Sequence, residues 1–114
     1  NTDVGLMEVG RWNITKDKPL DLYASDTDNT LGTATITASP FCPAGSVCIA
    51  GATSEWSMSS YTGLATEDYS DSISGDVSTH AKGSSEAFTV SETPSITAQR
   101  SGGGSITIAA ASFR

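Results

Sequence analysis

Hydrophobic and polar residues alternate with a period of two along most of this chain, and no segment shows the period of an amphipathic helix. The clearest case is TATITAS, in which Ala34, Ile36 and Ala38 share one face and the threonines between them share the other. Alternation of this kind is typical of a half-buried β-strand. The pattern therefore predicts an all-β protein.

Similar short patterns recur about every ten residues and are separated by turn residues, which is typical of an antiparallel β-sandwich or barrel. We expect about eight or nine short strands in a single domain that spans residues 1–114. YTGLATEDYSD (61–71) lacks hydrophobic alternation and is predicted to be an acidic loop. The further residues predicted to face inward are Leu20, Leu22, Ala24, Trp56, Met58, Ile73, Val77, Thr79, Ala81, Phe88, Val90, Ile96, Ala98, Ile106 and Ile108.

The N-terminal segment DVGLMEVGRWNI is apolar on both faces of a predicted strand. Val4 and Leu6 lie on one face, whereas Met7 and Val9 lie on the other. Such a strand is expected to be buried between layers or to pair with another molecule. Because Asn1 is not a natural initiator, we also expect that the chain was trimmed.

The composition and charge limit the classes of function. Serine and threonine make up roughly three residues in ten, and threonine suits strands. The formal net charge is −7, and no Lys or Arg occurs between Lys18 and Lys82. This acidic segment repels phosphate, which argues against binding to nucleic acid or to an anionic membrane surface. No apolar run approaches the ~18 residues of a spanning helix, so no membrane span is predicted.

Both cysteines, Cys42 and Cys48, lie in the stretch SPFCPAGSVCIAG. A structural zinc site needs about four nitrogen or sulfur ligands, and His80 is the only further candidate of that kind. A thioredoxin-type motif would need C-x-x-C spacing. The turn-forming residues between the cysteines favour a local disulfide, with two free buried thiols as the alternative. A disulfide would indicate an oxidising compartment.

Aspartates gather in the turn-rich stretch DTDNTLGT, and closely spaced carboxylates suit Ca²⁺. The run begins like an EF-hand loop, but Leu31 occupies the position of the required glycine and Thr37 that of the required glutamate. An EF-hand is therefore excluded. A looser calcium site remains an alternative to a simple Asx-rich turn, and no other cofactor is predicted. The predicted ligands of this calcium site are Asp26, Asp28, Asp71 and Asp76.

Catalytic patterns are weak in this sequence. A Ser-His-Asp site can be drawn around His80, but no G-x-S-x-G elbow is present. Nothing singles out two carboxylates as a glycosidase pair. We therefore predict no enzymatic activity, and a hydrolase built around His80 is the weakest of the alternatives.

Exposed aromatic rings could stack on sugar faces. Trp12 and Trp56 lie in the apolar phase of their segments and are predicted to be core residues. Tyr23 lies in a polar phase, and Tyr61 and Tyr69 flank the acidic segment. These three tyrosines are the predicted carbohydrate-binding residues.

The last segment, SITIAAASFR, alternates and carries a penultimate aromatic residue, Phe113. This ending resembles the final strand of chaperone–usher pilins. The close cysteine spacing departs from the wide pairing in that family, so no family is assigned. Strand-like ends pair readily with another chain.

Taken together, these features predict a structural subunit of an extracellular, cell-surface or virion assembly such as a filament, tail or shell. It would associate with itself or with other subunits through strand edges and threonine-rich faces. The alternative is a secreted module that binds carbohydrate or calcium.

Overall fold

A computed structural model describes residues 19–73 and 79–113 of the chain. The predicted N-terminal strand and Asp76 lie outside these ranges, and the single domain over residues 1–114 stays a prediction. Eight β-strands occur in the described ranges. Neither range contains a helix that is long and apolar enough to cross a membrane. The strands are β1 (Pro19–Asp28), β2 (Ala34–Ala38), β3 (Ser46–Ser54), β4 (Met58–Thr62), β5 (Thr66–Ile73), β6 (Thr79–Phe88), β7 (Ile96–Arg100) and β8 (Ile106–Phe113).

The strands form two antiparallel sheets that pack as a sandwich. The larger sheet has the order β1-β8-β3-β6-β5, and the smaller sheet has the order β2-β7-β4. Every described strand pair is antiparallel. This architecture confirms the predicted all-β sandwich.

The core lies between the sheets, and most of its side chains are small or β-branched. Ile96, Ile106 and Ile108 are fully buried, and burying an isoleucine side chain contributes roughly 1.5–3 kcal/mol. The alternation in β2 is confirmed, because Ala34, Ile36 and Ala38 are all buried there. Further core residues are Cys42, Cys48, Ala50, Ala52, Met58, Leu64, Phe88, Ala98 and Ala110.

Three predictions about individual segments are wrong. The acidic segment predicted to be a loop forms most of β5, an edge strand of the larger sheet. Because β5 lies outside the area of the larger sheet that the smaller sheet covers, it has no apolar face to bury. The hydrophobic alternation is therefore missing from its sequence. Trp56 and Val90 were expected in the core, but they are 47% and 58% exposed because they lie in the turns after β3 and β6.

Candidate functional site

The three tyrosines predicted to bind carbohydrate point to three different places. Tyr23 is 77% exposed on the outer side of β1. Tyr61 lies between the sheets, where its hydroxyl is 2.8 Å from Ser84 Oγ and burial raises the pKa of the phenol. The Tyr69 ring lies over Gly83, since a Cβ at that glycine would clash with it. These tyrosines therefore do not form one stacking platform.

The predicted calcium ligands are also separated. Asp26 lies on β1, and its Oδ2 accepts a hydrogen bond from the Thr37 amide at 3.2 Å. Asp71 lies on β5, at the opposite edge of the larger sheet from Asp26 and Asp28. In the described part of the chain, no group of three His, Cys, Asp or Glu residues could hold a metal ion. Because Asp76 lies outside the described ranges, the calcium site stays a prediction.

Cys42 and Cys48 are both fully buried and carry free thiols in the structure. Each thiol is close enough to the other to affect its pKa, and the Cys42 thiol donates a hydrogen bond to the Pro40 carbonyl oxygen at 3.7 Å. Burial raises the pKa of both thiols, so neither is a reactive thiolate near neutral pH. The structure thus places the pair together, and the disulfide itself stays a prediction.

A buried arginine organises one end of the sandwich. Arg100, the last residue of β7, is 0% exposed. Its Nη1 donates to the carbonyl oxygens of Gly32, at 2.7 Å, and Gly102. Its Nη2 donates to the Thr30 carbonyl at 2.6 Å and forms an ion pair with the Asp28 carboxylate at 2.7 Å. One side chain therefore holds the β1–β2 and β7–β8 turns together.

The Asp28 carboxylate is held in its charged form. It accepts hydrogen bonds from the Thr30 amide at 2.9 Å and the Thr30 hydroxyl at 2.8 Å, in addition to the bond from Arg100. These donors lower the pKa of Asp28, with the Thr30 amide as the largest contribution. Because its three donors come from Thr30 and Arg100, this carboxylate closes the turn between β1 and β2.

The same end presents two large apolar side chains. Leu31 is 94% exposed, although the carbonyl groups on both sides of it are hydrogen-bonded by the buried arginine. Trp56 is 47% exposed. A Cβ at Gly102 would lie 3.0 Å from the Trp56 ring, and one at Gly103 would lie 3.4 Å from Leu31. Both side chains thus flank one glycine turn, and we call Leu31 and Trp56 the apolar tip.

The opposite end, here called the far end, is defined by Phe41 and Val90, which are 46% and 58% exposed. Their loops are joined by two backbone hydrogen bonds between Cys42 and Glu92, at 2.8 and 3.0 Å. The Phe41 carbonyl also accepts a hydrogen bond from Ser112 Oγ at 3.0 Å. These contacts at the far end are hydrogen bonds, and none of them is an ion pair.

The outer side of the smaller sheet carries a row of uncharged polar side chains. Thr97 is paired with Thr37 on one side and with Thr62 on the other. In the next row, Gln99 Nε2 donates a hydrogen bond to Thr35 Oγ1 at 2.9 Å. We call this surface the threonine face; it comprises Thr35, Thr37, Ser60, Thr62, Thr97 and Gln99.

Sequence analysis missed the role of Arg100. Ile96 and Ala98 were predicted to face inward, and the same period places Arg100 on that face two residues later. The signal was thus present, but a charged residue is almost never fully buried without partners. Three of its four partners lie at the end of β1 or in the turn after it, 68 to 72 positions away, so the pattern could not reveal them.

No family model matches this sequence, and comparisons with curated proteins and with solved structures find no similar protein.

Proposed function

We propose that this chain is a structural subunit, without enzymatic activity, of an extracellular, cell-surface or virion assembly such as a filament, tail or shell. Copies associate with each other or with further subunits of the same assembly. The observation that carries this proposal is the threonine face, whose six side chains are uncharged on a chain whose formal net charge is −7.

The threonine face suits contact between copies for an electrostatic reason. Like charges on two approaching copies repel each other, and the acidic residues of this chain make most of its surface self-repelling. The six side chains of the threonine face are all neutral. Their methyl groups and hydroxyls can pack against a second surface without burying an unpaired charge. Association is therefore expected to use this face.

The free strand edges also favour the smaller sheet as the site of association. The outermost strands are β1 and β5 in the larger sheet and β2 and β4 in the smaller sheet. The β5 edge carries Glu67, Asp68 and Asp71, and charged side chains on an edge oppose pairing with another copy. The β2 edge is approached by Asp26 of β1, which binds the Thr37 amide. β2 and β4 both have uncharged sequences, but the Asp26 carboxylate binds the edge of β2, which leaves β4 as the better candidate; it contributes Ser60 and Thr62 to the threonine face.

Mass in solution tests the proposal. Size-exclusion chromatography with light scattering should give a mass above the 11.7 kDa of one chain. We expect this mass to rise with protein concentration and to be the same with calcium and with a chelator. A strict monomer whose melting temperature rises with calcium would contradict the proposal and favour a calcium-binding module.

A charge placed on the threonine face gives a sharper test. Thr97→Lys puts a cation at the centre of this face, where it must be desolvated on association. We expect the concentration needed for association to increase at least tenfold. The matched control is Thr107→Lys, which adds the same charge to an exposed position on the larger sheet. An equal effect of both variants would show that net charge, and not the threonine face, governs association.

A further inference from the structure

The outer side of the larger sheet, which faces away from the smaller sheet, is apolar along two neighbouring strands. In β3 the residues that alternate with the core positions include Val47 and Ile49. In β8 they include Ala109, Ala111 and Phe113. The opposite faces of β3 and β8 already lie in the core. A continuous apolar run such as VCIAGA (47–52) is typical of a strand that is covered on both faces.

Strand register joins these residues into one surface. Val47 is paired with Phe113 on one side and with Ala87 of β6 on the other. In the next row, Ala111 lies between Tyr23 and Ile49. All of these residues are uncharged, on a chain whose formal net charge is −7. We call this surface the outer apolar face; it comprises Tyr23, Val47, Ile49, Ala87, Ala109, Ala111 and Phe113.

We propose that the N-terminal segment of the same chain, residues 4–14, lies across the outer apolar face and covers it. The occupant of this face is thus a part of the chain itself and not a second copy. The proposal is independent of the structural function proposed above, because the threonine face belongs to the smaller sheet. With the outer apolar face covered, the threonine face is the neutral surface left for contact between copies.

The place where the segment joins the fold supports this arrangement. Pro19, the first residue of β1, is paired with Phe113, so residues 1–18 join the fold at the border of the outer apolar face. From β1 to β6 this face is three strand spacings wide, or about 14 Å. Residues 4–14 in extended form span up to about 36 Å, and the linker 15–18 spans up to about 14 Å. The segment can therefore reach Ala87 at the opposite border of the face.

The sequence of the segment fits an apolar surface. Its alternation places Val4 and Leu6 on one side and Met7 and Val9 on the other. Packing of either side on the outer apolar face removes apolar area of both partners from water. The linker TKDK (15–18) is polar, so the apolar pattern ends before β1 begins.

Tethering favours the segment of the same chain over that of a second copy. A short linker gives the attached segment an effective concentration in the millimolar range. The segment of another copy competes only at the concentration of the protein itself. Covering within one chain therefore dominates wherever the protein is more dilute than this effective concentration.

Photo-crosslinking tests the proposal in the full chain. The probe is Ala87→p-benzoylphenylalanine, at an exposed position of the outer apolar face, and the matched control is Thr35→p-benzoylphenylalanine, at an exposed position of the threonine face. Each variant is mixed with isotopically labelled wild-type chain, so that mass spectrometry separates crosslinks within a chain from those between chains. We expect the Ala87 variant to crosslink to residues 4–14 of its own chain with a yield about tenfold above that of the Thr35 variant.

Aspartate variants of the segment give a second measurement. Leu6→Asp and Met7→Asp each put a carboxylate on one side of the segment, and Thr2→Asp adds the same charge just outside it. Burial of an unpaired carboxylate against an apolar surface is unfavourable. We therefore expect at least one of the first two variants to lower the melting temperature by about 5 °C or more and Thr2→Asp to leave it unchanged. Circular dichroism measures these melting temperatures.

Three results would overturn the proposal. If the Ala87 variant crosslinks to residues 4–14 of labelled chains only, the segment covers a second copy. If its crosslinks miss residues 4–14, the segment lies elsewhere, for example along the free edge of β1, about 19 Å from Ala87. If Leu6→Asp and Met7→Asp both melt like Thr2→Asp, the segment does not pack on the fold. The structural function is unaffected by these results, since mass in solution and Thr97→Lys test it separately.

Discussion

The two ends of this sandwich fix their exposed apolar side chains by different chemistry. At the apolar tip, the buried Arg100 guanidinium binds three backbone carbonyls and the Asp28 carboxylate. At the far end, two backbone hydrogen bonds join the loops, and the thiols of Cys42 and Cys48 lie side by side in the core. An ionic clamp responds to charge and pH, whereas a thiol pair responds to oxidation. The two ends should therefore be separately switchable.

The largest expected effect is at the ionic clamp. Arg100→Met removes the guanidinium, so that three turn carbonyls lose this donor and Asp28 keeps only its two donors from Thr30. We expect the free energy of unfolding to fall by about 3–5 kcal/mol, because several hydrogen bonds from a charged donor are lost and each contributes about 1.5–3 kcal/mol. Urea unfolding followed by circular dichroism measures this change.

The matched control for this prediction is Lys82→Met. Lys82 Nζ lies 3.7 Å from Glu67 Oε2 in a partly exposed ion pair, and such pairs contribute about 0–1 kcal/mol. Similar losses in both variants would show that burial of Arg100 does not distinguish the clamp from an ordinary surface pair.

A glycine at each end gives the next comparison. Gly104 at the tip and Gly45 at the far end both have a positive φ, of 104° and 80°. A Cβ at Gly104 would lie 2.5 Å from Glu55 Oε2 and 3.0 Å from Trp56, whereas nothing lies within 4 Å of one at Gly45. Gly104→Ala should therefore cost about 2–3 kcal/mol and Gly45→Ala about 1–2 kcal/mol.

Thermal unfolding of the two alanine variants measures this difference. If Gly45→Ala destabilises the protein as much as Gly104→Ala does, backbone strain alone accounts for both losses. In that case the packing of Trp56 over the glycine turn contributes nothing measurable to the tip.

Oxidation should strengthen the far end by a smaller amount. Cys42 and Cys48 enclose a short loop, and in the chain-entropy model a disulfide between them stabilises by about 2–2.5 kcal/mol. Because both thiols are buried with a raised pKa, we expect an oxidant such as oxidised glutathione to form the bond readily during refolding but slowly in the native protein.

Intact mass after alkylation in denaturant, with and without reductant, measures the bond. Protein refolded with oxidised glutathione should resist alkylation at both cysteines until it is reduced. Complete alkylation of the refolded, unreduced protein would contradict the prediction. Cys48→Ala, which cannot form the bond, is the control for the stability measurement.

Acid should loosen the tip and leave the far end paired, and this is the smallest effect. Hydrogen bonds from Thr30 and Arg100 lower the pKa of Asp28 below its ordinary value of 3.8. The stabilisation by this carboxylate is thus complete above that value and is lost as the pH falls through the lowered pKa. Amide hydrogen exchange between pH 6 and pH 2 should show the Thr30 amide losing protection before the Cys42 amide.

Asp28→Asn tests the assignment of this acid response. The variant lacks the titrating carboxylate, so the protection of the Thr30 amide should be lower than in the wild type at pH 6 and change little with acid. A wild-type acid response that persists in Asp28→Asn would assign the pH dependence to another group.

The comparison also shows where sequence patterns suffice. In β2, β7 and β8 every apolar residue that the alternation placed inward is buried, because these strands have one face against the core and one face in solvent. In β5 the same rule failed, since a polar edge strand lies beyond the area that the smaller sheet covers. Trp56 was placed in one strand with Met58, but β4 begins only at Met58, so Trp56 lies in the turn before it, where the period does not apply.

The candidate surfaces were predictable only in part. The exposed threonines of β2 were evident from the alternation, but their alignment with Thr62 and Thr97 depends on pairing between distant strands. Leu31 was noted only as the residue that excludes an EF-hand. Its place beside Trp56 depends on the glycine turn between β7 and β8.

The sequence alone therefore determined the all-β class and much of the division between core and surface, because both follow from local alternation of apolar and polar side chains. Tertiary structure decided which distant residues meet. Antiparallel pairing brings Asp28 and Arg100 to one end and Cys42 and Glu92 to the other. These contacts join residues that are 72 and 50 positions apart, and their geometry is set by strand register and sheet packing, which no local pattern specifies.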